Sequence, residues 1–326
     1  MHTHVGQCFL RFAAVMCITT SAFGAATPEY PSRPIRLLLP FAPGGSVDGL
    51  ARIITPKLSE AMGQQWVIDN RGGAGGNIAA EIVARAAPDG YTALLGLSTI
   101  ITANPALYKL SFSMEKDLQP VTQLATSQYI LVLHPGVPAG SVQELVALAK
   151  QKPRSLNYAS GGIGTPLHLA AELFQKRAGI QMVHIPYKGG GAAAAAVLTG
   201  EAQVVFGSFA SSLPQVKAGR LKSVATTGSR RSPLAPDVPT IAESGFPGLE
   251  VVSWFGLLVP SGTSASIVER IRDQTIKAVH TPDVQRAIAR EGLDVETSTP
   301  SELAARIRND TKTWAEVIKA AGIKPE

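Results

Sequence analysis

Cysteine is almost absent from this sequence of 326 residues. The only two cysteines, Cys8 and Cys17, both lie close to the amino terminus. If this first segment is removed from the finished protein, the remaining chain carries no thiol. Disulfide bonds, thiolate catalysis and cysteine-ligated metals are then excluded, and the fold must depend on its hydrophobic core.

Aromatic and charged residues are also scarce, at 6% and 17% of the sequence. Basic residues outnumber acidic ones, which gives a formal net charge of +6. Nucleic-acid-binding surfaces cluster their basic residues and often interleave them with aromatic rings. Here the basic residues are dispersed along the chain. We therefore expect no nucleic-acid partner, but a mildly cationic surface that attracts small anions.

No apolar run near the start reaches the length of a membrane span. The apolar stretch of residues 12–18 follows Arg11 and precedes the small residues of 22–26. A span needs about 20 apolar residues, so a membrane anchor is the weaker interpretation. A positive charge, a short apolar core and a small-residue cleavage site predict a secretory signal over residues 1–26. We accordingly expect an exported protein.

Apolar runs of strand length alternate with segments of helical periodicity along residues 27–326. This alternation predicts an α/β fold with mostly parallel sheets and helices on both faces. The apolar run of 251–259 is long enough to pass from one domain into another. We therefore expect two lobes joined by crossing strands. Residues 27–126 and 253–326 would form lobe I, and residues 127–252 would form lobe II.

Three glycine-rich turns stand where an apolar run ends and a helical pattern begins. They cover residues 40–46, 159–165 and 186–191. Backbone N–H groups at a helix N-terminus are unpaired and carry the positive end of the helix dipole. Glycine lets a ligand approach those groups without meeting a side chain. The turns therefore predict a binding pocket for an anion.

Motifs for catalysis and cofactor binding are incomplete. The turn at 43–48 lacks the Lys-Ser/Thr ending of a phosphate loop, and the glycine runs at 73–77 and 189–194 lack parts of the dinucleotide fingerprint. The histidines beyond residue 26 are not spaced as metal ligands, and the sequence has no Gly-x-Ser-x-Gly elbow. We therefore expect no metal, no cofactor and no enzymatic activity.

Three titratable side chains stand close to the glycine turns. Asp48 would repel a carboxylate that it faced, so we expect it to hold the backbone of its turn or to meet an amino group. His168 follows the second turn, where it could donate to a ligand or pack as a structural histidine. Lys188 immediately precedes three glycines, where it could pair with a carboxylate at the rim of a pocket or remain solvated.

Ordered matches to a known family span nearly all of the chain beyond the predicted signal. The matching segments are Tyr30–Ile35, Pro40–Gly45, Asp69–Arg71, Gly73–Asn77, Pro88–Thr92, Asn104–Tyr108, Pro186–Gly189, Pro239–Thr240 and Glu243–Gly245. On these residues the sequence resembles the periplasmic solute-binding receptors of tripartite tricarboxylate transporters, often called the Bug family. The resemblance implies a two-lobed, type II-like periplasmic binding protein fold. It also implies a small anion held in the cleft by backbone groups and bridging waters.

The resemblance places the carboxylate against the first turn and a glycine loop of lobe II. The ligand-binding positions that it carries over are Phe41, Ala42, Pro43, Gly44, Gly45, Asn77, Ser98, Thr99, Ser160, Gly161, Gly164 and Thr165. Asp48, His168 and Lys188 complete the set of candidates, together with Gly207. Gly207 stands near a position where the family often has aspartate, and Gly72 stands where the family usually has proline. The missing acid at Gly207 disfavours an amino-acid ligand and favours a plain carboxylic acid.

The expected function is therefore binding without catalysis. A monomeric receptor would close its lobes over a small carboxylate and deliver it to membrane permease subunits in a transient contact. Two alternatives remain open from the sequence. One is a ligand sensor that signals to a membrane partner, and the other is a hydrolase on a similar fold, for which no nucleophile–base pair can be assembled.

Overall fold

The computed structural model describes residue 2 and residues 30–323, without the side chains of 320 and 321. The predicted signal, residues 1–26, therefore lies outside the described residues except at residue 2. The strands are β1 (Ile35–Leu39), β2 (Trp66–Asn70), β3 (Thr92–Leu97), β4 (Leu118–Leu133), β5 (Asn157–Ser160), β6 (Val183–Pro186), β7 (Val204–Ser208), β8 (Lys222–Thr226), β9 (Val252–Pro260) and β10 (Leu293–Val295). The helices are α1 (Ser46–Met62), α2 (Asn77–Ala84), α3 (Ser98–Thr102), α4 (Asn104–Leu107), α5 (Val142–Gln151), α6 (Pro166–Ala178), α7 (Gly190–Leu198), α8 (Phe209–Lys217), α9 (Ala265–Val279), α10 (Pro282–Arg290) and α11 (Pro300–Ala321).

Strand β1 is the centre of the first group of strands. It pairs in parallel with β2 and with β3, as expected for β-strands linked by crossover helices. Strand β9 then pairs antiparallel with β3 and with the first half of β4. The short strand β10 adds to the same stretch of β4.

The second half of β4 belongs to another group of strands. It pairs antiparallel with both β7 and β8, while β5 pairs in parallel with β6 and β7. The predicted α/β class and the two-lobed fold are confirmed, but the expectation of mostly parallel sheets is wrong. The long strands β4 and β9 run against their neighbours because they return the chain from one group to the other.

Two separate hydrophobic cores underlie the two groups of strands. The first contains Ala125 of β4 and Trp254 of β9. The second contains Tyr129, a few residues further along β4, and Val251, just before β9. Both chain crossings thus occur within a few residues of the predicted lobe boundaries at 126/127 and 252/253. These boundaries remain a prediction, and lobe I and lobe II are used below for the predicted segments.

The loops after β1, β5 and β6 meet in the cleft between the two cores. In open α/β sheets, ligands bind beyond the carboxyl ends of the strands, where such loops gather. A small third cluster of Ala103, Leu107, Leu169 and Ile318 packs beside this cleft and links α6 with α4 and α11. The fold therefore brings the glycine turns predicted from the sequence to one place.

Candidate ligand-binding cleft

The first glycine loop, residues 40–45, is held by Asp48 in the first turn of α1. The Gly44 N–H donates to Asp48 Oδ2 at 3.2 Å, with Gly44 in the left-handed region at φ +95°. Arg52 Nε donates to the same oxygen at 2.9 Å, and Asn70 Nδ2 donates to the Phe41 carbonyl at 2.9 Å. Asp48 therefore holds its turn, which was one of its two predicted roles.

Asp48 is ionised in this arrangement. Its side chain is only 7% exposed, whereas that of its partner Arg52 is 59% exposed. Burial raises the pKa of Asp48, but the hydrogen bonds from Arg52 and the Gly44 N–H outweigh it and keep that pKa below its usual value. The negative charge of Asp48 is thus balanced by the exposed Arg52.

The second glycine loop, residues 160–165, is tied to itself and to the helix that follows. The Gly162 N–H donates to Ser160 Oγ at 3.1 Å, and Thr165 Oγ1 donates to the Gly162 carbonyl at 2.6 Å. The Gly164 N–H donates to His168 Nδ1 at 3.3 Å. His168 is 5% exposed, so it packs as a structural histidine. Its pKa is lowered to about 3 by burial and by the neighbouring His184.

The third glycine loop, residues 186–189, lies directly against the first. The Ala42 N–H donates to the Lys188 carbonyl at 3.3 Å. A Cβ added at Gly191 would lie 2.9 Å from the Gly44 carbonyl oxygen, which is closer than backbone and side chain can approach. Lys188 makes this contact through its backbone, and its side chain is exposed. The cleft is therefore closed, with glycine backbones from both sides in contact.

A small cavity remains between the three loops, with a volume of about 30 Å³. That is room for roughly two water molecules. Its lining consists of Phe41, Ala42, Gly45, Ser46, Val47, Asp48, Leu97, Tyr129, Gly161, Thr165, Pro166, Leu167, Gly190 and Ser208. None of these lining residues is cationic.

Helix N-termini surround this cavity. Gly45, Thr165 and Gly189 are the N-caps of α1, α6 and α7, and none of them caps its helix with a side-chain hydrogen bond. Helix α8 also begins at the cavity, but it is capped by the side chain of Ser208. First-turn N–H groups that lack a side-chain partner are suited to an anion. The cavity therefore presents backbone donors in place of cationic side chains.

The structure divides the predicted site residues into three sets. Those that line the cavity are Phe41, Ala42, Gly45, Asp48, Gly161 and Thr165. Lys188 lines a groove at the mouth of the cleft, together with Phe41 and Gly161. The remaining candidates are outside the cavity lining and are Pro43, Gly44, Asn77, Ser98, Thr99, Ser160, Gly164, His168 and Gly207.

Several members of this outer set have structural contacts. Asn77 accepts a hydrogen bond from Asn104 Nδ2 at 2.7 Å, and both are buried. Gly207 lies in β7, where an added Cβ would lie 2.0 Å from Ser212 Oγ, so a side chain there requires Ser212 to move. Thr99 Oγ1 is buried without a hydrogen-bond partner among the described residues. Ligand contacts by these residues remain predictions.

Sequence reasoning missed part of the cavity wall. Ser208 is the N-cap of α8, and its side chain accepts from the Ser211 N–H. Leu97 ends β3, and Tyr129 is fully buried in β4. The Tyr129 hydroxyl interacts with Ser253, but neither hydroxyl has a well-formed hydrogen bond within the described part of the chain. A serine before a helix was a readable signal, whereas nothing marked Leu97 or Tyr129.

Two searches of the described residues were negative. Across residue 2 and residues 30–323, no group of three or more His, Cys, Asp or Glu side chains could hold a metal ion. Over the same part of the chain, no helix combines the length and the apolar character that a membrane crossing requires.

Comparison with known proteins agrees with this geometry. The sequence model of the family described as tripartite tricarboxylate transporter family receptor matches residues 50–323 of this chain. The UPF0065 protein in the tcbD-tcbE intergenic region of Pseudomonas sp. strain P51 is 36% identical over 97% of this chain and 94% of its own length. Protein BugT of Bordetella pertussis is 33% identical over 96% of this chain and 98% of its own length.

Two solved structures with bound acids have the same fold. Rpa4515 of R. palustris with adipate superposes with a TM-score of 0.88 at 33% identity, covering 91% of this chain and 100% of that chain. MatC of Rhodopseudomonas palustris with bound malate gives a TM-score of 0.84 at 30% identity, covering 89% of this chain and 100% of that chain. From its sequence match and its fold, this chain belongs to the family of tripartite tricarboxylate transporter receptors.

Proposed function

We propose that this chain is a periplasmic receptor that captures one small carboxylate between its lobes and delivers it to membrane permease subunits. The observation that carries the proposal is the convergence of α1, α6 and α7 on one cavity, each without a side-chain cap. A carboxylate placed there accepts hydrogen bonds from first-turn N–H groups and lies at the positive ends of the helix dipoles.

The chemistry of the cavity favours a carboxylate over a neutral or cationic ligand. Hydrogen bonds from backbone N–H groups to a charged acceptor contribute about 1.5–3 kcal/mol each. The only charged lining residue, Asp48, has its carboxylate occupied by Arg52 and the Gly44 N–H. The adipate and malate bound to two relatives belong to the same chemical class.

Ligand entry requires the two sides of the cleft to separate. A cavity of about 30 Å³ is too small for a whole organic acid, and the Ala42–Lys188 hydrogen bond closes it. The segments that cross between the cores, residues 125–128 and 253–255, are the natural hinges for such a movement. In this proposal the receptor acts as a monomer and meets its permease only transiently.

A thermal-shift screen tests the proposal. The protein is unfolded, dialysed and refolded to remove any bound solute, and is then titrated with malate, adipate, aspartate and the neutral adipamide. We expect at least one of the two plain acids to raise the melting temperature with one-to-one stoichiometry by calorimetry, and adipamide to have no effect. If no compound in a wider panel of organic acids raises the melting temperature, the proposal is wrong.

A single glycine substitution tests the role of the closed loops. A Cβ added at Gly161 would lie 3.2–3.3 Å from the backbone of Gly189 and Gly190, so Gly161→Val should hold the loops apart. We expect affinity for the best acid to fall at least about 100-fold, equivalent to roughly 2.7 kcal/mol. Gly140→Val is the control, because a Cβ there meets only Glu144 Oε2 at 3.6 Å. Wild-type affinity in a folded Gly161→Val protein would contradict the proposed binding mode.

A further inference from the structure

Two histidines stack behind the second glycine loop. The rings of His168 in α6 and His184 in β6 lie 4.4 Å apart at an interplanar angle of 30°. The ring of Tyr158 lies 4.8 Å from His184 at 17°. This group is built by the register of β5 and β6, in which Tyr158 and His184 are partners. The three rings form a rigid support for the loop that begins at the end of β5.

Each histidine holds a different part of the loop. The Gly164 N–H donates to His168 Nδ1 at 3.3 Å. Ser160 Oγ, which accepts the Gly162 N–H, lies 2.6 Å from His184 Nε2. Gly161 lies between these attachment points and Thr165 directly follows the second, and both residues line the cavity. The positions of the cavity-lining backbone groups therefore depend on both imidazoles.

The hydrogen bond to His168 fixes its protonation state. A backbone N–H can only donate, so His168 Nδ1 must be free of a proton to accept from Gly164. A proton on that nitrogen would set two N–H groups against each other. It would also place a cation 4.4 Å from the ring of His184 in a dry environment, where an unpaired charge is costly.

Within the described part of the chain, the carboxylate beside this group of rings, Glu172, is engaged by other side chains. The titratable groups that face the pair are the two imidazoles themselves and Tyr158, whose hydroxyl donates to Glu172 Oε1. Glu172 also accepts from Gln175 Nε2 at 2.9 Å, so this carboxylate is already engaged. Within residues 30–323, neither imidazole makes a hydrogen bond or ion pair with a carboxylate. Burial accordingly lowers the pKa of His168 to about 3 and that of His184 to about 4.

We propose that His168 and His184 are positioning residues for ligand capture, and that the second glycine loop keeps its binding shape only while His168 is neutral and accepts from the Gly164 N–H. This inference rests on the proposed function, because it concerns the same cleft. Opening or loosening the loop exposes the rings and returns their pKa values toward 6.5, so acid favours the form that does not bind. Carboxylate affinity should therefore fall as the pH drops below about 6.5.

Two substitutions of His168 distinguish the effect of its hydrogen bond from the effect of its protonation. His168→Asn supplies a non-titrating acceptor close to the position of Nδ1, and His168→Leu removes the acceptor. Kd for adipate is measured by calorimetry at pH 7.5 and 5.5 for both variants, for the wild type, and for the control His280→Asn, whose histidine is exposed at the end of α9. Adipate itself takes up protons in this range, so the result is the change in Kd relative to His168→Asn under identical conditions.

We expect wild type and His280→Asn to lose at least 10-fold more affinity on acidification than His168→Asn. His168→Leu should bind at least 10-fold more weakly at pH 7.5. Equal pH profiles in the wild type and His168→Asn would overturn the inference. If the variants do not fold, or if the protein does not bind adipate, a second measurement still tests the inference. In the wild-type protein, proton NMR should show the Gly164 amide protected from exchange at pH 7.5 and less so at pH 5.5, and unchanged protection would also overturn the inference.

Discussion

The two loops that face each other across the cleft are held in place by opposite kinds of chemistry. The first loop depends on the ionised carboxylate of Asp48, which bonds the Gly44 N–H and is balanced by Arg52. The second depends on the uncharged rings of His168 and His184. A charge can support an anion site when its counter-ion lies at the surface, as Arg52 does. His168 is as buried as Asp48 but has no carboxylate or other counter-ion among the described residues, so this support is neutral.

Acidification should destabilise the second loop at a higher pH than the first. Between pH 6.5 and about 3–4, the unfolded chain binds protons at His168 and His184 while the folded protein does not, so stability falls as the pH drops. Asp48 has a lowered pKa, so its contribution is present above pH 3.8 and is lost only below that value. We expect the free energy of unfolding to fall by roughly 3 kcal/mol between pH 6.5 and 5, about half from each histidine. Urea titrations of ligand-free protein at pH 6.5 and 5 measure this free energy.

The double variant His168→Asn/His184→Gln is the control for this acid effect. It lacks both titrating rings, so its free energy of unfolding should change much less between pH 6.5 and 5. If the wild type and the double variant lose stability in parallel over this range, carboxylates elsewhere dominate and the comparison between the two supports fails.

Asp48→Asn should weaken the first loop by a smaller amount that does not depend on pH. The variant loses the charge that attracts Arg52, although its amide oxygen can still accept from the Gly44 N–H. We expect a loss of about 1.5 kcal/mol in stability, the lower end of the range for one hydrogen bond to a charged group, and a similar loss in carboxylate affinity at pH 7.5 and 5.5. Chemical unfolding and calorimetry measure both quantities.

Glu60→Gln is the matched control on the same helix. Its ion pair with Lys57 spans 3.8 Å and its side chain is 77% exposed, so we expect a change within about 0.5 kcal/mol. An Asp48→Asn protein as stable and as tightly binding as Glu60→Gln would show that the first loop needs no ionic support.

Lys188→Gln should have the smallest effect. The side chain of Lys188 lines the mouth of the cleft and is exposed, while its carbonyl makes the contact with Ala42. We expect a roughly twofold slower association that disappears at high salt, because the charge only steers the anion toward the cleft. Stopped-flow kinetics with Lys150→Gln as control tests this. A large, salt-independent increase in the dissociation rate would instead make Lys188 a direct ligand of the carboxylate.

The sequence allowed the glycine loops to be predicted because several local signals coincide there. Each turn combines the end of an apolar strand, glycine and the start of a helical pattern. The structure confirms the turns, with Gly162 at φ +117° and Gly189 at φ +118°, where residues with a side chain are strained. Local backbone conformation depends on neighbouring residues, so this part of the site could be predicted from the sequence.

Features that depend on packing between distant segments could not be predicted from the sequence. In the first half of β4, Thr122 and Gln123 are buried and bond to Ser298, far away in the sequence. The stack of Tyr158, His168 and His184 likewise arises from strand register and helix packing. Tyr129 enters the cavity wall only because β4 passes between the two cores.

The groups proposed to bind the carboxylate are backbone N–H groups, and this affects how such receptors can diverge in sequence. A donor that belongs to the main chain survives any substitution except proline, so mutation cannot easily delete the groups that meet the carboxylate. Side chains such as those of Leu97, Tyr129 and Ser208 form the rest of the cavity wall, and their substitution leaves the backbone donors in place. Two relatives with this fold are bound to acids as different as adipate and malate. In the binding mode proposed here, the backbone donors constrain the charge of the ligand, and the walls set its identity.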